Sequence, residues 1–366
     1  MNIMYIVFSF TMGGTERLLI DQCNEMCKRG NSVFVCIINN YYDEELLSLF
    51  DSRINIYKLE RKPGSRLYIR YLIKIAMLAI KSRIQIIHGN GMNTVEAALI
   101  VKILNPKIKL YWTVHDTIGI TDLTKVRLKI LSFFTYKIIA VSKCVKNIII
   151  DCGIDSSQVD IIYNGINWNK FVPLKVSKDN PGMIRIGNVA RITPIKAQDV
   201  LIDALGEVVK SHSNIVCEIA GAAAPDDRAV LETLKDRAAM LNIADKVIFK
   251  GSINDINEFY NSIDIFVLPS LKEGFGLAVL EAMAMEIPCI LNSVEGPKEI
   301  VDITGTGILY DGTSLGLAEK LNMIIDNLSY YKQLSKIKAP IIRRMFSVEE
   351  MCERLEFCYD YVHKKK

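Results

Sequence analysis

The sequence predicts an α/β protein made of two doubly wound parallel-sheet domains, on three observations. Short apolar runs of strand length alternate with amphipathic stretches of helical period, the pattern of consecutive βαβ units. The alternation stops over a polar stretch rich in breakers, Pro173 to Gly182, and restarts at Met183. The 366 residues supply two full cores, taking about 150 residues per domain.

In the first half the expected strands are Ile3–Phe8, Val33–Ile38, Ile54–Tyr57, Ile84–His88, Lys109–Val114 and Ile138–Val141, with helices between them. Tyr163-Asn164-Gly165-Ile166-Asn167 is turn chemistry. The first domain therefore covers residues 1–170 and the second 171–346. Strands restart at Met183–Val189, Ile215–Ala220, Lys246–Phe249, Asp264–Leu268 and Pro288–Leu291, with helices near 196–211, 226–241 and 276–285. Residues 347–366 form a tail whose stretch Ser347–His363 reads as an amphipathic helix.

Hydrophobic content of 50% and charged content of 23% describe an ordinary globular chain. The mean hydropathy of +0.21 is high, yet no apolar run approaches the ~20 residues of a spanning helix. One of the longest candidates, Leu72–Ile80, contains Lys74. Met1–Phe8 is followed at once by glycines and charges, unlike a secretory leader. Nine scattered cysteines imply a reduced, cytoplasmic protein. Cys23 and Cys27 lie one helical turn apart without a second pair, and the four histidines form no ligand motif, so no metal is expected.

The stretch Ser270-Leu-Lys-Glu-Gly-Phe-Gly-Leu-Ala-Val-Leu-Glu281 carries the most chemistry. Glu273 sits in a glycine-flanked loop, and Glu281 on an otherwise apolar helix, where a carboxylate is costly without a partner. Gly274 and Gly276 let backbone approach a ligand, and the helix that follows points free amides at it. Phosphate on the amides and hydroxyls on the carboxylates is the ligand this suits. Arg191 and Lys196 lie in the loop after the first strand of the second domain, where two cations can neutralise a leaving diphosphate or stand as solvated surface charges. Gly13 and Gly14 open the first helix, as a phosphate-facing turn or as a tight turn with Thr15 as cap. His115 ends a strand of the first domain, at the edge where such sheets bind ligands, either as a functional histidine whose ring Asp116 can orient or as a structural one.

Together these motifs resemble the retaining glycosyltransferases of family 4, with nearly the whole chain covered. The resemblance implies a GT-B fold: two Rossmann-like domains facing each other across a cleft, the C-terminal helix crossing back onto the N-terminal domain. It implies that the second domain holds a nucleoside diphosphate sugar and the first an acceptor. In that family Glu273 contacts hydroxyls of the transferred sugar and Glu281 holds the ribose. Arg191 and Lys196 neutralise the diphosphate, and His115 lies near donor sugar and acceptor. Lys250 falls where the base binds. Gly13, Gly14, Gly274, Phe275, Gly276 and Leu277 complete the donor set. Ala190 and Ala197 stand where the family often has glycine, as does Glu286. The implied reaction is sugar transfer from a UDP-sugar, ahead of a GDP-sugar, to a glycan or lipid-linked hydroxyl in cell-surface polysaccharide (lipopolysaccharide or capsule) biosynthesis. Neither cofactor nor metal is implied. The alternatives are a nucleotide-sugar epimerase of the same fold and a non-catalytic nucleotide-sugar-binding subunit of a glycan-assembly complex.

Charge is uneven. Residues 1–170 hold 22 Lys/Arg against 14 Asp/Glu, and the remainder 23 against 27. Lys58–Arg83 contains eight cations and one acid, and Thr124–Lys146 six cations and no acid, interleaved with Tyr and Leu. An anionic inner-membrane surface, making the protein peripheral, fits this pattern. A solvated helix face is the plain alternative. No nucleic-acid module is present.

Overall fold

The computed structural model describes residues 1–11, 13–64, 68–115, 122–174, 182–253 and 255–360. Two compact units make up the chain: Met1–Asn167 together with Phe346–Lys366, and Trp168–Met345.

The first unit holds seven parallel strands: β1 (Asn2–Val7), β2 (Ser32–Asn39), β3 (Asn55–Arg61), β4 (Ile86–Gly89), β5 (Lys109–Val114), β6 (Lys137–Ala140) and β7 (Val159–Ile161). Their order is β3-β2-β1-β4-β5-β6-β7, so the winding reverses between β1 and β4. The strands read as apolar runs because both faces are covered: Ile3, Tyr5, Val33, Val35 and Ile37 are all completely buried. The final helix, Val348–Asp360, is part of this unit. Its Met351, Cys352, Leu355 and Tyr359 join the core formed by β1, β2 and helix Gly14–Lys28. Arg29 ties it down by an ion pair to Glu356 at 3.1 Å and a bond to the Glu349 carbonyl at 2.9 Å.

A buried polar chain links this helix to the sheet. Gln22 donates to the Tyr5 hydroxyl at 3.1 Å. His88 on β4 bonds the Tyr359 hydroxyl through Nδ1 and the Thr113 hydroxyl through Nε2 at 2.6 Å. Burial, with a smaller like-charge effect from His115, pushes the His88 imidazole down to about 3. An unfolded histidine titrates near 6.5, so below that pH the unfolded chain binds the extra proton and the native state does not. Stability is full above about pH 6.5 and falls by about 1.4 kcal/mol per pH unit toward the native value. Melting curves across that window are expected to show this slope in the wild type and a flatter one in His88→Gln.

The second unit holds six parallel strands: β8 (Ile184–Val189), β9 (Ile215–Ala220), β10 (Val247–Gly251), β11 (Ile265–Leu268), β12 (Cys289–Asn292) and β13 (Ile308–Tyr310). The order β10-β9-β8-β11-β12-β13 places the reversal between β8 and β11. The expected strands match those observed to within a few residues. β7 and β13 are three residues each, too short to show a period. The helix expected from 196 begins at Gln198, because Pro194–Lys196 forms a separate 3-10 turn. The tail helix spans Val348–Asp360, and residues 361–366 lie outside the described residues.

Two positions that depart from the family's glycine have left-handed backbone: Ala197 at φ +48° and Glu286 at φ +65°. A side chain there costs roughly 1–2 kcal/mol, partly offset by the looser unfolded chain that glycine brings, about 0.4–1 kcal/mol. Glu286→Gly is therefore expected to raise the melting temperature of this unit by about 1–3 °C, read by calorimetry.

Candidate active site

Open parallel sheets bind ligands beyond the carboxyl ends of strands where the winding reverses, because adjacent connections there leave on opposite faces and open a crevice. In the second unit that place lies between β8 and β11. The loop after β8 carries Arg191 and Lys196, and the loop after β11 carries Glu273, Gly274 and Gly276. The two loops are joined by a backbone bond from the Leu271 amide to the Ile195 carbonyl at 2.9 Å.

The sequence-predicted residues meet directly. Lys196 Nζ pairs with Glu273 Oε2 at 2.7 Å, each side chain about one-fifth exposed. Lys196 has three N–H donors, so the pair leaves others for a phosphate. Arg191 is exposed at the same loop. Its carbonyl accepts from the buried Gln198 amide at 3.0 Å. Ile192 bonds the Ala222 carbonyl at 3.1 Å, extending the sheet beyond β9. Gly221 makes this possible, since a Cβ there would lie 1.8 Å from the Ala190 carbonyl oxygen.

Gly276 has φ +106° and caps the helix Leu277–Ala284 through its backbone alone. Phe275 is buried beneath the loop, and Leu277 begins the helix, half-buried. The loop rests on the first turn of helix Glu295–Thr304. A Cβ on Gly296 would lie 2.5 Å from the Glu273 carbonyl oxygen and 3.1 Å from the Phe275 nitrogen. Glu281 has the partner its apolar helix demands: the Tyr260 hydroxyl donates to Oε2 at 2.7 Å. Burial pushes the Tyr260 phenol well above its usual range, with the Glu281 charge reinforcing it, so it stays a proton donor. Tyr260 and Gly296 are contributions the sequence analysis did not assign. An aromatic on a short helix reads as core, and Gly296 is marked only by its place beside Pro297.

Lys250 pairs with Glu218 at 3.3 Å. Glu218 is 3% exposed and also holds Arg185 at 2.6 Å. Lys250 thus helps satisfy a buried carboxylate on β9 at the position where the base was expected.

In the first unit the reversal lies between β1 and β4, and a cavity of about 290 Å³ opens there, lined among others by Phe8, Phe10, Glu16, Asn90, Met92 and Asn93. Gly13 is the extended N-cap of helix Gly14–Lys28 and makes no side-chain cap. Thr15 does not cap either, since its hydroxyl donates to Glu16 at 2.9 Å. His115 follows β5, half-buried. Asp116, assigned to orient its ring, lies outside the described residues. Among the described residues no three His, Cys, Asp or Glu gather as metal ligands would. No described helix is long and apolar enough to cross a membrane.

Two reversed parallel sheets with these loops at the second switch point define the protein as a GT-B glycosyltransferase. The model described as Glycosyltransferase Family 4 matches residues 12–170, and that described as Glycosyl transferases group 1 matches residues 174–339. The chain belongs to glycosyltransferase family 4. It is 27% identical over 352 residues to a glycosyltransferase of Haemophilus influenzae, covering 93% of this chain and 94% of that one. It is 30% identical over 148 residues to the lipopolysaccharide core biosynthesis mannosyltransferase LpsB of Rhizobium meliloti, 38% of this chain and 42% of that one. Among solved structures, HepE of Anabaena in complex with UDP and glucose has a TM-score of 0.82 at 20% identity, covering 98% of this chain and 99% of that one.

Proposed function

We propose that the protein moves a sugar from a nucleoside diphosphate donor, UDP-linked ahead of GDP-linked, to a hydroxyl of a glycan or lipid-linked acceptor, with retention at the anomeric carbon. The observation that carries this reading is the Lys196–Glu273 pair, 2.7 Å apart at the β8/β11 switch point with Arg191 on the same loop. A donor presents both of the groups this pair can bind. Its diphosphate takes the ammonium, and its sugar hydroxyls take the carboxylate. In this reading Glu281, held by Tyr260 at 2.7 Å, takes the ribose diol. UDP in the HepE complex, and the lipopolysaccharide role printed for LpsB, support the donor and the acceptor class.

In this reading the bond from anomeric carbon to diphosphate oxygen breaks as the acceptor oxygen bonds from the same face. The acceptor proton passes to the departing phosphate. Arg191, Lys196 and the amides after Gly274 absorb the growing negative charge, the term that dominates such catalysis, so no metal is needed at the leaving group. The family resemblance assigns His115 and the Gly13–Gly14 loop of the first unit to the donor sugar and the acceptor.

A panel of UDP- and GDP-sugars tests this by thermal stabilisation and slow donor hydrolysis. One UDP-sugar is expected to raise the melting temperature and to yield UDP and a retained product anomer, unaffected by chelator. A panel without any shift would overturn the donor assignment. Sugar interconversion without an acceptor would make the protein an epimerase, and binding without turnover a non-catalytic subunit.

A further inference from the structure

Two helices of the first unit turn apolar stripes outward. On Tyr68–Lys81, Ile69, Ile73, Met77 and Ile80 are exposed at helical spacing, while Ile75, Ala76 and Ala79 face the core. On Asp122–Ser132, Leu123, Val126 and Ile130 are exposed, the stripe continuing to Phe133 at 79%, while Leu128 and Leu131 are buried. The helix Met92–Leu104 packs against both and ends in exposed Ile103 and Leu104. A helix serving only the core keeps its outward face polar, and apolar surface of this extent marks an interaction site.

Its charge selects the partner. Arg70, Lys74 and Lys81 flank the first stripe, and Lys125 and Lys129 the second. Glu96, on the helix between, is already paired to Arg127 at 2.7 Å. Between β3 and helix Tyr68–Lys81 lies a cavity of about 350 Å³ whose lining includes Lys58, Lys74 and Lys81 with Ile56, Leu59 and Met77. Lys58 is shared with Glu44 at 2.7 Å. Cations around an apolar floor match a phosphate that carries hydrocarbon, and Met77 belongs to both cavity and stripe.

We propose that this face docks on an anionic lipid bilayer. The stripes enter the boundary between headgroups and acyl chains, and the cavity takes a lipid phosphate. A second copy of the chain would match the apolar stripes but bring an equally basic rim against this one. The inference stands apart from the sugar-transfer reading.

The test sediments the full chain with vesicles of equal parts phosphatidylcholine and phosphatidylglycerol, and with phosphatidylcholine alone. Each basic residue near an anionic leaflet strengthens binding by about fivefold. The wild type is expected to partition more than about tenfold better onto the anionic vesicles at low salt, and to lose that preference at high salt. Lys74→Glu with Lys81→Glu, and separately Ile73→Glu with Ile130→Glu, are expected to lower partitioning about tenfold or more while keeping the wild-type melting temperature and donor-induced thermal shift. Equal binding to both vesicle types, or variants that partition as the wild type does, would overturn the proposal. So would a concentration-dependent dimer abolished by Ile73→Glu, which would give the face to a second copy. Inorganic phosphate that releases the protein more than chloride at equal ionic strength would assign the cavity to free phosphate instead.

Discussion

Lys196→Ala is expected to lower sugar transfer about a thousandfold with the fold intact. In the proposed reaction the ammonium faces the charge that develops on a departing diphosphate, and removing one such preorganised group costs about 3–4 kcal/mol of transition-state stabilisation. The loss should fall on kcat, because the charge grows as the bond breaks. Lys196→Arg keeps the charge but replaces a compact ammonium with a planar fork, so partial recovery is expected. The pair with Glu273 supplies a second readout. With both groups about one-fifth exposed, the stability costs of Lys196→Ala and Glu273→Ala should overlap in a double-mutant cycle by about 1 kcal/mol. Steady-state kinetics with the preferred donor and melting of all four proteins decide it. Near-normal turnover in Lys196→Ala would remove the residue from leaving-group chemistry.

Gly296→Ala is expected to lower sugar transfer about a hundredfold, although its added methyl meets only backbone. That methyl would sit 2.5 Å from the Glu273 carbonyl and 3.1 Å from the Gly274 carbon. Both neighbours are backbone, so the loop itself must move. A displacement near 1 Å in a positioning element costs about a hundredfold, and overpacking of this kind destabilises by about 1–3 kcal/mol. Lys298→Ala, an exposed position on the same helix, should leave both activity and melting unchanged. If Gly296→Ala retains full kcat/KM, the contact does not set the loop's position.

How much of this was legible in the sequence follows from the range of each interaction. The two carboxylates, the two cations and the glycines stand where a strand period gives way to a helix period, and that is a local signal. Their partners are not local. Lys196 and Glu273 are 77 positions apart, and Tyr260 and Glu281 are 21 apart. The first pair exists because β8 lies beside β11, an adjacency the sequence pattern allows but does not single out, and the second because the helices Ile256–Ser262 and Leu277–Ala284 on either side of β11 meet. Glu218 hides inside the apolar run of β9, so nothing announced that Lys250 would have an acid to satisfy. The departures from glycine at Ala197 and Glu286 were visible, but only the backbone angles give their physical meaning.

The helix Val348–Asp360 has one further consequence. It belongs to the core built on β1, although the whole of Trp168–Met345 is translated in between. The second unit is continuous in sequence and can fold as soon as it clears the ribosome. The core of the first lacks Met351, Leu355 and Tyr359 until the residues after Met345 have emerged. The core of the first unit is thus completed after that of the second, although its strands are made first.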